Sequence, residues 1–335
     1  EKGKEHAVFT GDTLFVGDVG RPDLLDGNMS KEALAGMMFD SLNNKIKPLL
    51  DEVIVYPGHG PGSACGKNIG KETFSTIGEQ KRTNYALQEM SKEDFISRVT
   101  EGILPPPKYF FEDAKINKKG YRPIEEVVKA NLNTLSVNEV EELQNEGVVI
   151  LDTRKPDDFE KGHIKGALNI GLNGQYAVWV GTLLNIGEPL IVIAEEGKEE
   201  EAMIRLARIG YESVKGYLAQ GMKAWEAESK KVDTVKSVSP EKMKELYEQG
   251  TTVLDVRKEG EFESGHVKGA KLLTLSDLEL DSEKLDKEET YLVHCAGGYR
   301  SMIASSLLQR KGFGKVINVY KGFGAIRETG IEIVN

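Results

Sequence analysis

The stretch ILDTRKPDDFEKGHIKGALNI, Ile150 to Ile170, returns as VLDVRKEGEFESGHVKGAKLL, Val253 to Leu273, without a gap and 103 residues further on. About half of the aligned positions are identical, which marks an internal duplication of domain length. Upstream of each copy lies a helix opener, SVNEVEEL from Ser136 and SPEKMKEL from Ser239. Both place a serine cap before a first turn that carries glutamate. Downstream of each comes an apolar strand, then a helical stretch, then a short strand ending near Gly221 or Gly322. The spacing predicts two copies of one small α/β domain, at 130–232 and 234–335. Short strands alternating with helical patterns favour a mostly parallel sheet with helices on both faces.

The rest of the chain is different in kind. AVFTGDTLFVGDVG and DEVIVYPGHG each read as an apolar strand running into a glycine-rich loop, with a helical stretch, SKEALAGMMFDSLNNKIKPLL, between them. GEQKRTNYALQEMSKEDFISRVTEGI reads as helices. Prolines and basic residues in ILPPPKYF and NKKGYRP mark a linker, placed at 116–129 after a first domain at 1–115. A chain of 335 residues is expected to form two or three domains. A net charge of -10 argues against nucleic acid or an anionic membrane as the main partner. No apolar run approaches the roughly 20 residues of a membrane span. Two cysteines, Cys65 and Cys295, form no disulfide framework and fit a reducing cytoplasm. EKGKEHAVFTGD is neither a signal peptide nor a natural start, so the chain is read as the remainder of a longer protein.

Chemistry concentrates at YLVHCAGGYRSMIASSLLQRKGF, Tyr291 to Phe313. YLVH is a buried-strand pattern, and RSMIASSLLQRKG is an amphipathic helix with Gly312 as its C-cap. Cys295 therefore sits at a strand end. Gly297 and Gly298 let backbone amides converge on its sulfur, and the helix N-terminus and Arg300 add positive potential. All three favour the thiolate. A buried structural cysteine is the plainer alternative, since free cysteines are among the most buried residues.

The elements D-V-R, E-F, G-H-V-K-G-A and C-A-G-G-Y-R-S resemble a rhodanese domain over the whole of 234–335. The resemblance implies a sulfurtransferase working through a cysteine persulfide. Cys295 would carry the sulfur, the backbone from Ala296 through Gly297, Gly298 and Tyr299 would cradle it, and Arg300 would assist. Asp255, Arg257 and His266 match positions that look structural. In the first copy the strand LIVI ends at Ala194, where the thiol should be, and the loop reads EEGKEEE. That copy resembles a rhodanese without its nucleophile, fit to pack, dock or orient, as a spacer or the support of a homo-oligomer.

FTGDTLFVGDVGRPDL and VYPGHGPGSACGK carry the second signal. An Asp in a T-G-D turn and a His in P-G-H-G are residue types that ligate hard or borderline metals, although loop capping explains each alone almost as well. In this order they are similar to the C-terminal part of a metallo-β-lactamase fold, and more narrowly to persulfide dioxygenases fused to rhodaneses. The fold class implied is α/β: part of an αββα metallo-β-lactamase fold followed by two tandem rhodanese-like domains with mostly parallel sheets. The resemblance implies one Fe(II) held by two histidines and an aspartate. Asp12 matches the aspartate. His59 matches the ligand of a second metal in two-metal relatives. The family's H-x-H-x-D-H element is not in the sequence and is expected upstream of Glu1. Cys65 would be a sulfur relay or a small buried residue. Arg21 would bind the carboxylate of a thiol cofactor or pair with Asp18 or Asp23. The implied activity is oxidation of a low-molecular-weight persulfide by dioxygen to sulfite, coupled to thiosulfate sulfur transfer, in sulfide detoxification. A two-zinc thioester hydrolase of the glyoxalase II type and a non-catalytic persulfide carrier or scaffold are the alternatives.

Overall fold

A computed structural model describes residues 3–24, 29–60, 63, 65–67, 69–101, 103, 116, 119–120 and 122–335. The chain divides into two compact units, Glu1–Lys118 and Lys119–Asn335. In the first, strand β1 (Ala7–Gly11) pairs parallel with β2 (Ile54–Pro57), which pairs antiparallel with β3 (Ser75–Thr76). The register slips between Phe9 and Gly11, so the T-G-D turn leaves the sheet at β1's end. Ser30 caps the helix Lys31–Ser41, which runs on as a π turn over Leu42–Ile46. That helix packs against Lys92–Thr100. Leu14, Leu42, Val55, Ile77 and Phe95 form the core between helices and sheet. Phe9, Tyr56 and Phe74 make an exposed aromatic row on this small sheet.

The second unit holds the duplication. Its first sheet contains β4 (Thr134–Leu135), β5 (Val149–Asp152), β6 (Leu168–Asn169), β7 (Leu190–Ile193) and β8 (Val214–Leu218). Their order is β4-β8-β7-β5-β6, and every pairing is parallel. The second sheet is built from β9 (Lys236–Val238), β10 (Thr252–Asp255), β12 (Lys271–Leu272), β13 (Tyr291–His294) and β14 (Val316–Val319), in the order β12-β10-β13-β14-β9. It too is wholly parallel. A separate antiparallel pair, β11 (His266–Val267) with β15 (Ile333–Val334), closes the domain's edge. Central strands β7 and β13 are buried along their whole length, as LIVI and YLVH predict for strands covered on both faces. Ser136 and Glu139 make a reciprocal capping box, and Ser239 caps its helix by accepting from the Lys242 amide.

The linker expected at 116–129 is not an extended arm throughout. Ile124–Asn131 is a helix that buries Val127 and Val128 and packs on the helix Glu199–Ala207. Pro123 precedes it and Glu125 and Glu126 fill its first turn, a start signal masked by the prolines and lysines around it. The ILPPPKYF stretch from 104 to 110 lies outside the described residues.

Candidate active site and metal-ligating cluster

Cys295 is the first residue after β13, and the helix Tyr299–Arg310 begins four residues later. Gly298 caps that helix with φ 101°, a conformation L side chains rarely adopt. In this position its amide donates to Cys295 Sγ at 3.1 Å. The carbonyl of Cys295 accepts from the Phe323 amide at 2.7 Å. The thiol is 1% exposed, so it lies on the floor of the loop, whereas Ala296 and Gly297 at the rim are exposed.

Two side chains of the loop have partners of their own. Arg300 does not point freely at the sulfur. Its fork donates to both carboxylate oxygens of Glu261, at 2.6 and 2.8 Å, in a half-buried ion pair. The guanidinium holds the Glu261 carboxyl down at about 2, against burial that acts in the opposite direction. The Tyr299 hydroxyl donates to the Gly171 carbonyl of the other copy at 2.7 Å. Glu261 escaped the sequence reading because it is one carboxylate among several in EGEFE and lies 39 residues from its partner.

Below the loop, Arg257 grips the fully buried Asp255 through Nε and NH2 and also donates to the Gly265 carbonyl. His294 is buried against Phe323; its Nδ1 lies 3.4 Å from the Cys295 carbonyl, and its Nε2, 3.7 Å from Asp255, has no hydrogen-bond partner among the described residues. Burial pushes its imidazole below the ordinary histidine value. Asp152, Arg154 and Gly162 repeat the Arg257 arrangement in the other copy. His163 and His266 each stack on a phenylalanine and bond its carbonyl, so both are local structural nodes.

In the other copy Ala194 follows the strand, and the loop runs to Lys198. Glu199, Glu200 and Glu201 fill the first helical turn, so carboxylates occupy the end of the helix that elsewhere favours anions. A shallow cleft of about 400 Å³ remains there, lined by charges of both signs, among them Arg154, Glu195 and Lys223.

In the first unit one ligand atom each from Asp12, His59 and Cys65 lies within 4.8 Å of the other two, and His59 Nε2 is 3.2 Å from Asp12 Oδ1. Ligand atoms at roughly 2.0–2.3 Å from a tetrahedral ion stand about 3.3–3.8 Å apart, a spacing that the imidazole and the carboxylate approach, and all three residue types are transition-metal ligands. Among the described residues no second imidazole joins them, one short of the two-histidine, one-carboxylate set. Cys65 is half-buried, and burial pushes its thiol above the ordinary value. Lys67, two residues on, donates to the carbonyls of Arg98 and Glu101. The Arg21 amide donates to the Cys65 carbonyl, which brings both residues to one cleft of about 430 Å³ with Asp12, Leu34 and Met38. The Arg21 fork engages Asp23 at 2.6 and 3.0 Å, the loop salt bridge that was the alternative to cofactor binding.

The rhodanese-like domain family matches residues 136–228 and 239–329, more than half of the chain. The chain belongs to the rhodanese-like domain family. Its second rhodanese domain carries the cysteine loop and its first lacks the thiol. The chain is 33% identical to thiosulfate sulfurtransferase 18 of Arabidopsis thaliana, over 28% of this chain and 80% of that protein. It is 32% identical to the hydroxyacylglutathione hydrolase GloC of Haemophilus influenzae, over 26% of this chain and 33% of that protein. A crystal structure of a metallo-β-lactamase from Staphylococcus aureus is similar at a TM-score of 0.52 and 32% identity, over 65% of this chain and 60% of that one. The chain thus spans a third to three fifths of the length of the two metallo-hydrolase-type relatives. The architecture is a metallo-β-lactamase-fold portion with tandem rhodanese domains of mixed α/β type. Among the described residues no helix is long and apolar enough to cross a membrane.

Proposed function

We propose that the second rhodanese domain is a sulfurtransferase and that Cys295 is its nucleophile. The observation that carries the reading is the Gly298 amide on Sγ at the mouth of a helix N-terminus. An amide donor and a helix dipole both stabilise negative charge on sulfur, which is the attacking form. The thiolate attacks the sulfane sulfur of thiosulfate. The S–S bond breaks, sulfite leaves with the electron pair, and a persulfide forms on Cys295. An acceptor such as sulfite or cyanide then attacks the outer sulfur and returns the thiolate. The added sulfur stands about 2.05 Å beyond Sγ, which lifts the reacting atom off the buried floor.

The first unit would supply the matching oxidation. A low-molecular-weight persulfide, dioxygen and water give the thiol, sulfite and two protons, and this sulfite is the acceptor at the second site. Asp12 would be a ligand of the metal, with His59 beside it, and the metal would supply the redox chemistry with dioxygen when it is iron. Leu34 and Met38 give the cleft an apolar wall suited to an organic thiol, with Arg21 and Cys65 beside it. Covalent linkage of the two sites raises the effective concentration of one site's product at the other.

Cys295→Ser should lower thiosulfate:cyanide transfer by about a hundredfold or more, because the hydroxyl cannot replace a thiolate. Undiminished transfer in that variant would remove Cys295 from the reaction. The likeness to a hydroxyacylglutathione hydrolase and the 3.2 Å approach of His59 to Asp12 favour a second reading, a metal-dependent thioester hydrolase. Metal content of the purified protein separates them: one iron for the oxidation, two zinc ions for the hydrolysis.

A further inference from the structure

We propose that the thiol-free rhodanese copy is the positioning frame of the Cys295 loop, acting through Tyr299. This rests on Cys295 being the sulfur-carrying residue. Tyr299 directly follows Gly298, whose amide meets the sulfur, and its hydroxyl is fixed on the Gly171 carbonyl of the other copy. The ring fills the space beside Gly174 so closely that a Cβ there would lie 2.4 Å from Tyr299 Cε2 and Cζ. No residue but glycine fits at position 174 while the ring stays in place. Arg205 shapes this seat, donating to the carbonyls of Leu172 at 2.6 Å and Gly174 at 3.0 Å, with its guanidinium over the Tyr176 ring.

A second tie comes from the other side of the loop. Tyr320 donates to Glu160 of the thiol-free copy. Two residues on, Gly322 presses against the Cys295 carbonyl, and the Phe323 amide bonds that carbonyl. Behind both, Ser306 accepts from the Asn169 amide at 3.0 Å, and Met302 lies in the hydrophobic core of the thiol-free copy. The helix that follows Cys295 and the turn that packs on its carbonyl are therefore pinned to the copy that has no chemistry of its own.

The physical need is plain. Ordering one backbone residue costs about 1–2 kcal/mol of conformational entropy, and Gly297 and Gly298 are the residues with the most freedom to lose. An amide held in place before the reaction stabilises charge on sulfur without reorganising. Tyr299 is a positioning residue: its side chain is anchored on the other copy, and it sets the backbone that meets the sulfur.

The test uses the whole chain, with Tyr299→Phe, Gly174→Ala, Tyr299→Ala and the Gly174→Ala/Tyr299→Ala pair. Three quantities are read: kcat and KM for thiosulfate:cyanide transfer, the rate of Cys295 alkylation by iodoacetamide at neutral pH from the labelled peptide, and thermal stability. Gly174→Ala and Tyr299→Ala should each lower kcat and the alkylation rate by about tenfold while KM for thiosulfate moves less than threefold. Tyr299→Phe, which deletes one hydrogen bond, should lower both by about threefold. The paired variant should be no worse than the more impaired single one, because both changes break the same contact. Wild-type kcat and alkylation in Tyr299→Phe and Tyr299→Ala, with only the melting temperature lowered, would reduce the contact to packing and overturn the proposal. Should Gly174→Ala fail to fold, the two Tyr299 variants decide alone. If the wild-type protein transfers no sulfur, the sulfurtransferase reading falls, and the alkylation rates still report whether the copy positions the thiol.

Discussion

Glu261 and Arg300 show how one ion pair changes the meaning of a motif. By itself, the arginine of C-A-G-G-Y-R is a cation beside the nucleophile. In the folded chain it is held in a fork by a carboxylate, so its charge at the sulfur is offset and its geometry is set from another element. The Glu261 carboxyl sits at about 2 in the folded protein against an ordinary 4.5. A depressed carboxyl value stabilises the fold above the unfolded value, and this contribution disappears as pH falls from 4.5 through about 2. Glu261→Gln should therefore differ from the wild type in stability near neutrality and converge on it in that acid window. The Glu261 side chain is 35% exposed, so solvent screening keeps the difference near 0.2–1 kcal/mol. Chemical denaturation of both proteins across the window measures it, and parallel curves would mean that the pair contributes nothing to folding.

At the scale of elements, the nucleophile loop depends on the turn that follows the neighbouring strand. Gly322, just after β14, has φ 62°, and a Cβ there would meet the Ala296 carbonyl carbon and oxygen and the Cys295 oxygen, all at 2.4 Å. Both obstacles are backbone and cannot rotate aside. Gly322→Ala should cost about 2–4 kcal/mol, combining left-handed strain with overpacking, and should reduce sulfur transfer as well. Urea titration followed by the transfer assay on the folded fraction checks both parts. A stable, fully active variant would show that the two loops can separate without consequence. The D-x-R pairs sit one layer lower. In each copy the arginine fork ties the end of an interior strand, β5 or β10, to a carbonyl eight residues on, and this geometry survives in the copy that has no thiol. The motif most visible in the sequence thus belongs to the scaffold, and the less conspicuous loop belongs to the chemistry.

At the scale of the second unit, the two rhodanese copies share structure. Met302 belongs by sequence to the second copy, and it is 1% exposed within the hydrophobic core of the first. Met302→Ala should cost about 2–5 kcal/mol, the usual range for a buried methionine cut to alanine. The loss should appear in the first copy: amide exchange should quicken in β5 and β7, outside the domain that carries the mutation. Protection lost only in the second copy would show that the cores behave independently.

The amino-acid sequence by itself determined the duplication, the parallel strands, the capped helices and the place of Cys295 at a strand end. The duplication is written in the repeat itself, and the others in residues close together along the chain, where periodicity, caps and glycines act directly. Only the tertiary structure decided that Cys295 lies on a buried floor, that Arg300 is paired, that Tyr299 faces the other copy, and that Cys65 joins Asp12 and His59. These features come from contacts between residues from 39 to 128 positions apart, or from atoms meeting at the end of a sheet. Local propensity carries no information about such meetings, because they depend on how finished elements pack. The helix Ile124–Asn131 lies between the two cases: its start signal was present in the sequence, and its two buried valines acquire a reason only when there is a helix for them to pack against.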